Sequence, residues 1–136
     1  MDYQAVKDIY LSVKMMTSKP SEITQILLKE CQKNVRNMKY ANVQKDIAEK
    51  NIASKNAQGL LIELMSIVNL NNEQGEKLFR MYEYLKKEVI KANLRDENKI
   101  LEEVEEYLLI LIEAWTMSIQ KEDKKQLKHN SKRHQW

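Results

Sequence analysis

Proline and glycine are almost missing from this chain: one proline, Pro20, and two glycines, Gly59 and Gly75, in 136 residues. Sheet proteins turn often, and their turns draw on both residues. A chain so poor in them, and rich in Lys, Glu, Leu, Ile and Asn, reads as long helices joined by short polar breaks. Cysteine is single, so Cys31 has no intramolecular disulfide partner and nothing points to an oxidising compartment. The longest unbroken apolar run, residues 107–112, is six residues long, against the roughly 20 that a membrane span requires. The start carries Asp2 and Asp8 and shows no apolar core of signal-peptide length. These absences lead to the expectation of a cytoplasmic protein.

Catalytic and metal-binding groups are scarce too. The two histidines, His129 and His134, both fall near the end. A di-iron bundle needs Glu-x-x-His on each of two helices, and a phosphotransfer bundle needs a helical histidine; neither is present in the periodic segments. Cys31 reads as a buried small hydrophobe. Glu102, Glu103, Glu105 and Glu106 read as a solvated face near a helix N-terminus, where negative charge is favoured. No enzyme, metal or cofactor is expected.

What is present is helical periodicity. Residues 20–40 align Ile23, Leu27, Cys31 and Met38, with Ile26 and Val35 at the edges. Residues 46–68 align Ala53, Ala57, Leu61, Leu64 and Val68. Residues 73–92 align Leu78, Tyr82, Leu85 and Val89. Residues 97–120 align Ile100, Val104, Tyr107, Leu108, Leu111, Trp115 and Ile119. Asn72 and its neighbours can cap the third segment, Asn93 can end it in a left-handed conformation, and Asp96 can cap the fourth. Breaks this short make neighbouring helices antiparallel. The expected fold is therefore all-α, an antiparallel four-helix bundle over 17–120. Ahead of it lies a short N-terminal segment, 1–16, whose Val6, Ile9, Tyr10 and Val13 form an apolar face too short to stand alone.

Charge is unevenly placed. Residues 121–136 hold six Lys/Arg against Glu122 and Asp123, a net +4, which leaves −1 for the first 120. With Trp136 as its sole aromatic, this stretch reads as a flexible basic tail and not as a nucleic-acid surface. A bundle helix buries one stripe. Leu109, Ile110 and Met117 point away from the stripe through Leu111 and Trp115, and Tyr84 lies nearly opposite Tyr82. That surplus suggests a groove for another protein's helix, a dimer face, or coverage by the N-terminal segment.

These residues, in this order, resemble the flagellin-specific export chaperones of the FliS family from about residue 3 to 120. Tyr10 followed by Thr17-Ser18-Lys19-Pro20-Ser21-Glu22-Ile23 is similar to the family's entry into its first long helix. Glu49-Lys50-Asn51 and Lys55-Asn56-Ala57-Gln58, leading into Ile62-Glu63-Leu64, match the second. Leu78-Phe79-Arg80-Met81-Tyr82-Glu83-Tyr84-Leu85 resembles the L-x-x-x-Y-D-Y block, Ala92-Asn93 its helix end, and Leu101-x-x-Val104 with Glu113-Ala114-Trp115 the last helix. Lys19 replaces the family's small hydroxyl residue before the proline, and Leu27-Leu28-Lys29-Glu30 stands where the family has Leu-Tyr-Asp-Gly.

The resemblance implies a cytoplasmic chaperone. It would hold the disordered C-terminal part of flagellin, prevent premature polymerisation and assist delivery to the flagellar export gate, without a cofactor, nucleic acid or membrane span. Residues expected to meet the partner are Tyr10, Pro20, Ile23, Leu27, Leu28, Tyr82, Tyr84, Leu109, Ile110, Trp115 and Met117. Trp115 is expected to serve as both core and groove floor, and the N-terminal segment as a lid over an apolar groove. The alternative is a structural adaptor that forms a homodimer through the same apolar surfaces and has no unfolded client.

Overall fold

Each of the four periodic segments is a helix. The structure, a computed structural model, describes residues 21–133. α1 spans Ser21–Val43, α2 Ile47–Ser66, α3 Glu73–Arg95 and α4 Asn98–Arg133. At 1.5 Å per residue, α1 to α3 are about 30–35 Å long and α4 about 54 Å.

Cross-helix hydrogen bonds fix the directions. Gln25 near the start of α1 donates to Thr116 far along α4 (2.7 Å), while Asn42 at the end of α1 donates to Asn98 at the start of α4 (2.8 Å). Asn93 late in α3 donates to Asn51 early in α2 (3.1 Å). Neighbours are therefore antiparallel. α1 packs on α2 and α4, and α3 closes the ring against α2 and α4. The α3–α4 pair is the most thinly packed of the four.

Side chains end the helices. Asp46 caps α2 by accepting from the Glu49 N–H (3.1 Å), and Asn72 caps α3 by accepting from the Gly75 N–H (2.7 Å), as the asparagine-rich break predicts. Gly75 has a packing reason to be glycine: a Cβ there would stand 1.7 Å from the Asn69 carbonyl oxygen. At the next break the outcome differs from expectation. Asn93 stays helical, and Asp96 ends α3 in the left-handed region (φ 55°), its N–H returning to the Ala92 carbonyl. Asn tolerates that region well, but the Asn93 side chain is engaged with Asn51.

Leu61, Leu64, Leu78, Tyr82, Leu85, Val89, Val104, Leu108, Leu111 and Trp115 are all buried, as the stripes predict. The phase of α1 is corrected. Its inward residues are Thr24, Leu28, Cys31, Val35 and Met38, whereas Ile23 is 42% exposed and Leu27 half-buried. The spacing 24, 28, 31, 35, 38 follows the 3.6-residue turn, which a start at Ile23 misses. Burial pushes the Cys31 thiol up to about 12, so it is an unreactive core group.

Glu105 departs from the expected solvated glutamate face. It is only 18% exposed and ties α4 to α1, accepting from Arg36 (2.5 Å) and Lys39 (2.7 Å). Glu102, Glu103 and Glu106 are exposed as expected. The basic stretch is corrected as well: α4 continues through it to Arg133. Lys, Gln, Glu and Leu are good helix formers, and no Gly or Pro interrupts them. The segment before residue 17, with its proposed lid role, lies outside the described residues.

Candidate partner-binding surface

The two ends of the bundle differ in chemistry. At the end formed by the α1–α2 and α3–α4 turns, polar side chains lock the helices. Asn42 donates to the Asp96 carbonyl (2.8 Å), Lys50 donates to the Asn93 carbonyl (3.2 Å) and pairs with the Asp96 carboxylate, and Asn98 donates to the Lys39 carbonyl (3.3 Å). A surface cleft of about 330 Å³ lies there, lined by Ala41, Asn42, Lys45, Asp46, Ile47, Lys50 and Asp96. Its hydrogen-bonding groups are largely engaged with one another.

The sides of the bundle carry apolar residues outside the core, and the sequence-predicted residues divide among them. Tyr84 of α3 meets Tyr107 of α4 edge to face, with ring centroids 6.4 Å apart at 86°, in the range where aromatic pairs attract. Its hydroxyl reaches Glu103 at 3.5 Å. Burial, helped by the carboxylates of Glu88 and Glu103, raises the Tyr84 phenol's pKa. Glu103, Tyr107, Ile110 and Met117 follow one another at helical spacings of four, three and seven, so they share one side of α4. Contact with Tyr84 identifies that side as the one facing α3. Tyr107 and Ile110 are half-buried against the core, and Met117 is 39% exposed. The result is an apolar flank along the thinly packed α3–α4 seam.

A second flank runs between α2 and α3. Asn51 marks the side of α2 that faces α3, and Ile62 and Met65 lie on that side, eleven and fourteen residues on. Across the seam, the antiparallel register that pairs Asn51 with Asn93 sets Met65 level with Phe79 of α3. Met65 and Phe79 are half-buried against the core, and Ile62 is 51% exposed. Sequence reading did not nominate these three. The available signal was an apolar pair at i, i+3 lying off the α2 stripe.

The remaining sequence-predicted residues scatter. Ile23 and Leu27 lie toward the α1–α2 side, the side of Cys31, whose Sγ approaches the Ala57 carbonyl at 3.8 Å. Leu109, 46% exposed, sits in a charged cleft of about 370 Å³ between α1 and α4, with Gln32, Arg36, Glu102, Glu105 and Glu106. Leu28, Tyr82 and Trp115 are core residues, each at 0–1% exposure. Burial lifts the Tyr82 phenol's pKa well above its ordinary value, with the nearby Trp115 indole N–H acting weakly the other way. Neither group makes a hydrogen bond of good geometry. Tyr10 and Pro20 lie outside the described residues.

Among the described residues no group of three or more His, Cys, Asp or Glu side chains could hold a metal ion, and no helix is long and apolar enough to cross a membrane. The fold and its surface therefore define a class: an all-α bundle whose outward features are apolar seams between helices. Comparison with known proteins narrows the class. The sequence profile of the family described as "Flagellar protein FliS" matches residues 2–122. A curated relative from Bacillus subtilis (strain 168), named "Flagellar secretion chaperone FliS", is 31% identical over 115 residues, covering 85% of this chain and 86% of the relative. The chain belongs to the FliS family of flagellar proteins.

Proposed function

We propose that this chain is a cytoplasmic flagellar secretion chaperone, holding the disordered C-terminal region of flagellin so that it does not polymerise before export. The observation that carries this reading is the pair of apolar flanks, Tyr84–Tyr107–Ile110–Met117 and Ile62–Met65–Phe79. The first runs about 15 Å along α4, enough for two to three turns of an amphipathic client helix to lay their apolar side chains along it, and the second, about one turn long, offers an anchor for one or two client side chains. Kinship with a protein named as a flagellar secretion chaperone supports the direction of the assignment. Leu28, Tyr82 and Trp115 then act from beneath, holding the flanks at their spacing. Residues before 17 are a candidate cover that yields to the client, and the flagellar export gate is a candidate recipient. The reading includes no catalytic step, metal or cofactor.

Titration calorimetry with the C-terminal segment of flagellin tests it. Saturable binding is expected, with a gain in helical circular dichroism and a negative heat-capacity change corresponding to roughly 1,000–3,000 Å² of buried surface. Absence of binding at high micromolar concentration overturns it. One feature favours the self-associating adaptor instead. Tyr40, Val43, Ile47 and Leu94, 67–79% exposed, cluster at the polar-turn end of the bundle. A concentration-dependent dimer, abolished by Leu94→Asp and unaffected by flagellin, would support that reading.

A further inference from the structure

α4 outruns the rest of the bundle. Gln25 of α1 stands level with Thr116 of α4, so Ser21, the first residue of α1, comes level with about residue 120. From residue 121 to Arg133, about 20 Å of helix extends past the start of α1. Lys121, Asp123, Lys124 and Leu127 in this extension are all exposed.

Five of the six Lys/Arg positions on the extension share one side, and Arg133 falls off it, on the side of Glu122 and Asp123. At 100° per residue, positions Lys121, Lys124, Lys125, Lys128 and Lys132 fall within about 100° of arc, making one stripe about 17 Å long. Asp123 and Leu127 take positions on the opposite side. The order of residues therefore does more than give the segment its net +4: it places five lysine positions on one line of a regular helix.

We propose that this lysine stripe adsorbs to an anionic lipid surface, so that the projecting part of α4 is a peripheral membrane-contact element separate from the apolar flanks. Three features favour a lipid surface over other polyanions. A row of lysine positions along one side suits a flat surface; a helix lying in a nucleic-acid groove has phosphates on both flanks, where Glu122 and Asp123 would be repelled. The stripe contains lysine alone, without the arginine forks or aromatic anchors that specify a nucleic-acid or protein site. Four to eight basic residues on one helix is also the number at which electrostatic attraction to anionic headgroups becomes strong.

The test is co-sedimentation of the full chain with vesicles of phosphatidylcholine alone and of phosphatidylcholine mixed with phosphatidylglycerol, at low and high salt. Binding is expected on the anionic vesicles only, falling steeply with salt. Each Lys→Gln change in the stripe should lower partitioning about fivefold, and all five together by more than a thousandfold. A permuted variant with the same composition in 121–133, its lysines spread around the helix, should bind at least tenfold more weakly at unchanged net charge. Melting curves of both variants check that the bundle is intact, and the salt series on the unaltered chain reads the effect without any substitution. The proposal is overturned by equal binding to neutral vesicles, by a five-glutamine variant that binds like the unaltered chain, or by a permuted variant that does so. Tighter binding to duplex DNA or to polyglutamate than to anionic vesicles at the same salt also overturns it.

Discussion

The two glycines should respond to the same substitution with opposite signs. Gly59 is exposed within α2, and a Cβ added there meets nothing within 4 Å. Glycine inside a helix costs about 0.5–1 kcal/mol relative to alanine, through the backbone freedom it loses on folding. Gly59→Ala should therefore stabilise the bundle by about that much and raise Tm by roughly 2–5 °C. Gly75 lies in the first turn of α3, where a Cβ would fall 1.7 Å from the Asn69 carbonyl oxygen, and real Cβ contacts essentially never come under 3.0 Å. The carbonyl is backbone and cannot swing aside, so the α2–α3 connection must move by more than an ångström. That movement strains the packing, at about 1–3 kcal/mol. It also weakens the Asn72 cap on the Gly75 N–H, worth about 1 kcal/mol. The alanine's gain in helix propensity offsets only part of this, so Gly75→Ala should destabilise by about 1–3 kcal/mol. Urea denaturation followed by circular dichroism measures both. Two stabilised variants would show that the Asn69 carbonyl does not crowd Gly75, and two destabilised ones that Gly59 is not in open space.

Two further substitutions probe the core and the α1–α4 tie. Trp115→Ala removes a fully buried indole and should cost about 3–5 kcal/mol in denaturant stability; a loss below about 1 kcal/mol would mean that the inward face of α4 is misassigned. Burial raises the Glu105 carboxyl's pKa, but hydrogen bonds and charge from Lys39 and Arg36 outweigh that, so the net displacement is below its ordinary 4.5. A depressed carboxyl contributes stability that is present above its unfolded value and lost as pH falls through its folded one. Glu105→Gln should thus be less stable than the unaltered chain at pH 7, by about 0.5–1 kcal/mol, with the difference closing as pH falls through the carboxyl's lowered value; a gap that stays constant from neutral to strongly acid pH would contradict the ion-pair account.

Scarcity of proline and glycine, together with periodic apolar residues, made the four helices and their order legible, and Asn72 announced the start of α3. The phase of α1 was less legible. Thr24 and Ser21 take inward positions near its start while Ile23 and Ile26 point out, so an apolar-in rule read that turn wrongly. The continuation of α4 was missed because polarity was taken for disorder, although the residues concerned favour helix. The seams were partly legible. Tyr84, Ile110 and Met117 could be marked as surplus from single-helix wheels. A seam, however, belongs to two helices, and pairing Met65 with Phe79 requires the antiparallel register that only the folded bundle supplies. The surroundings of Leu109 were illegible for the same reason: its wheel position is outward, and it is exposed, but only the folded bundle shows that α1 opposite it presents Gln32 and Arg36.

The central claim is that the apolar seams on either side of α3 hold the client. Amide hydrogen exchange of the full chain with and without the flagellin C-terminal segment tests it most directly. Slowed exchange on binding is expected in α3 and the facing parts of α2 and α4, around Met65, Phe79, Tyr84 and Ile110, with the Asn42–Lys50–Asp96 end unchanged. Protection confined to that polar end, or binding with no change along α3, would contradict the account.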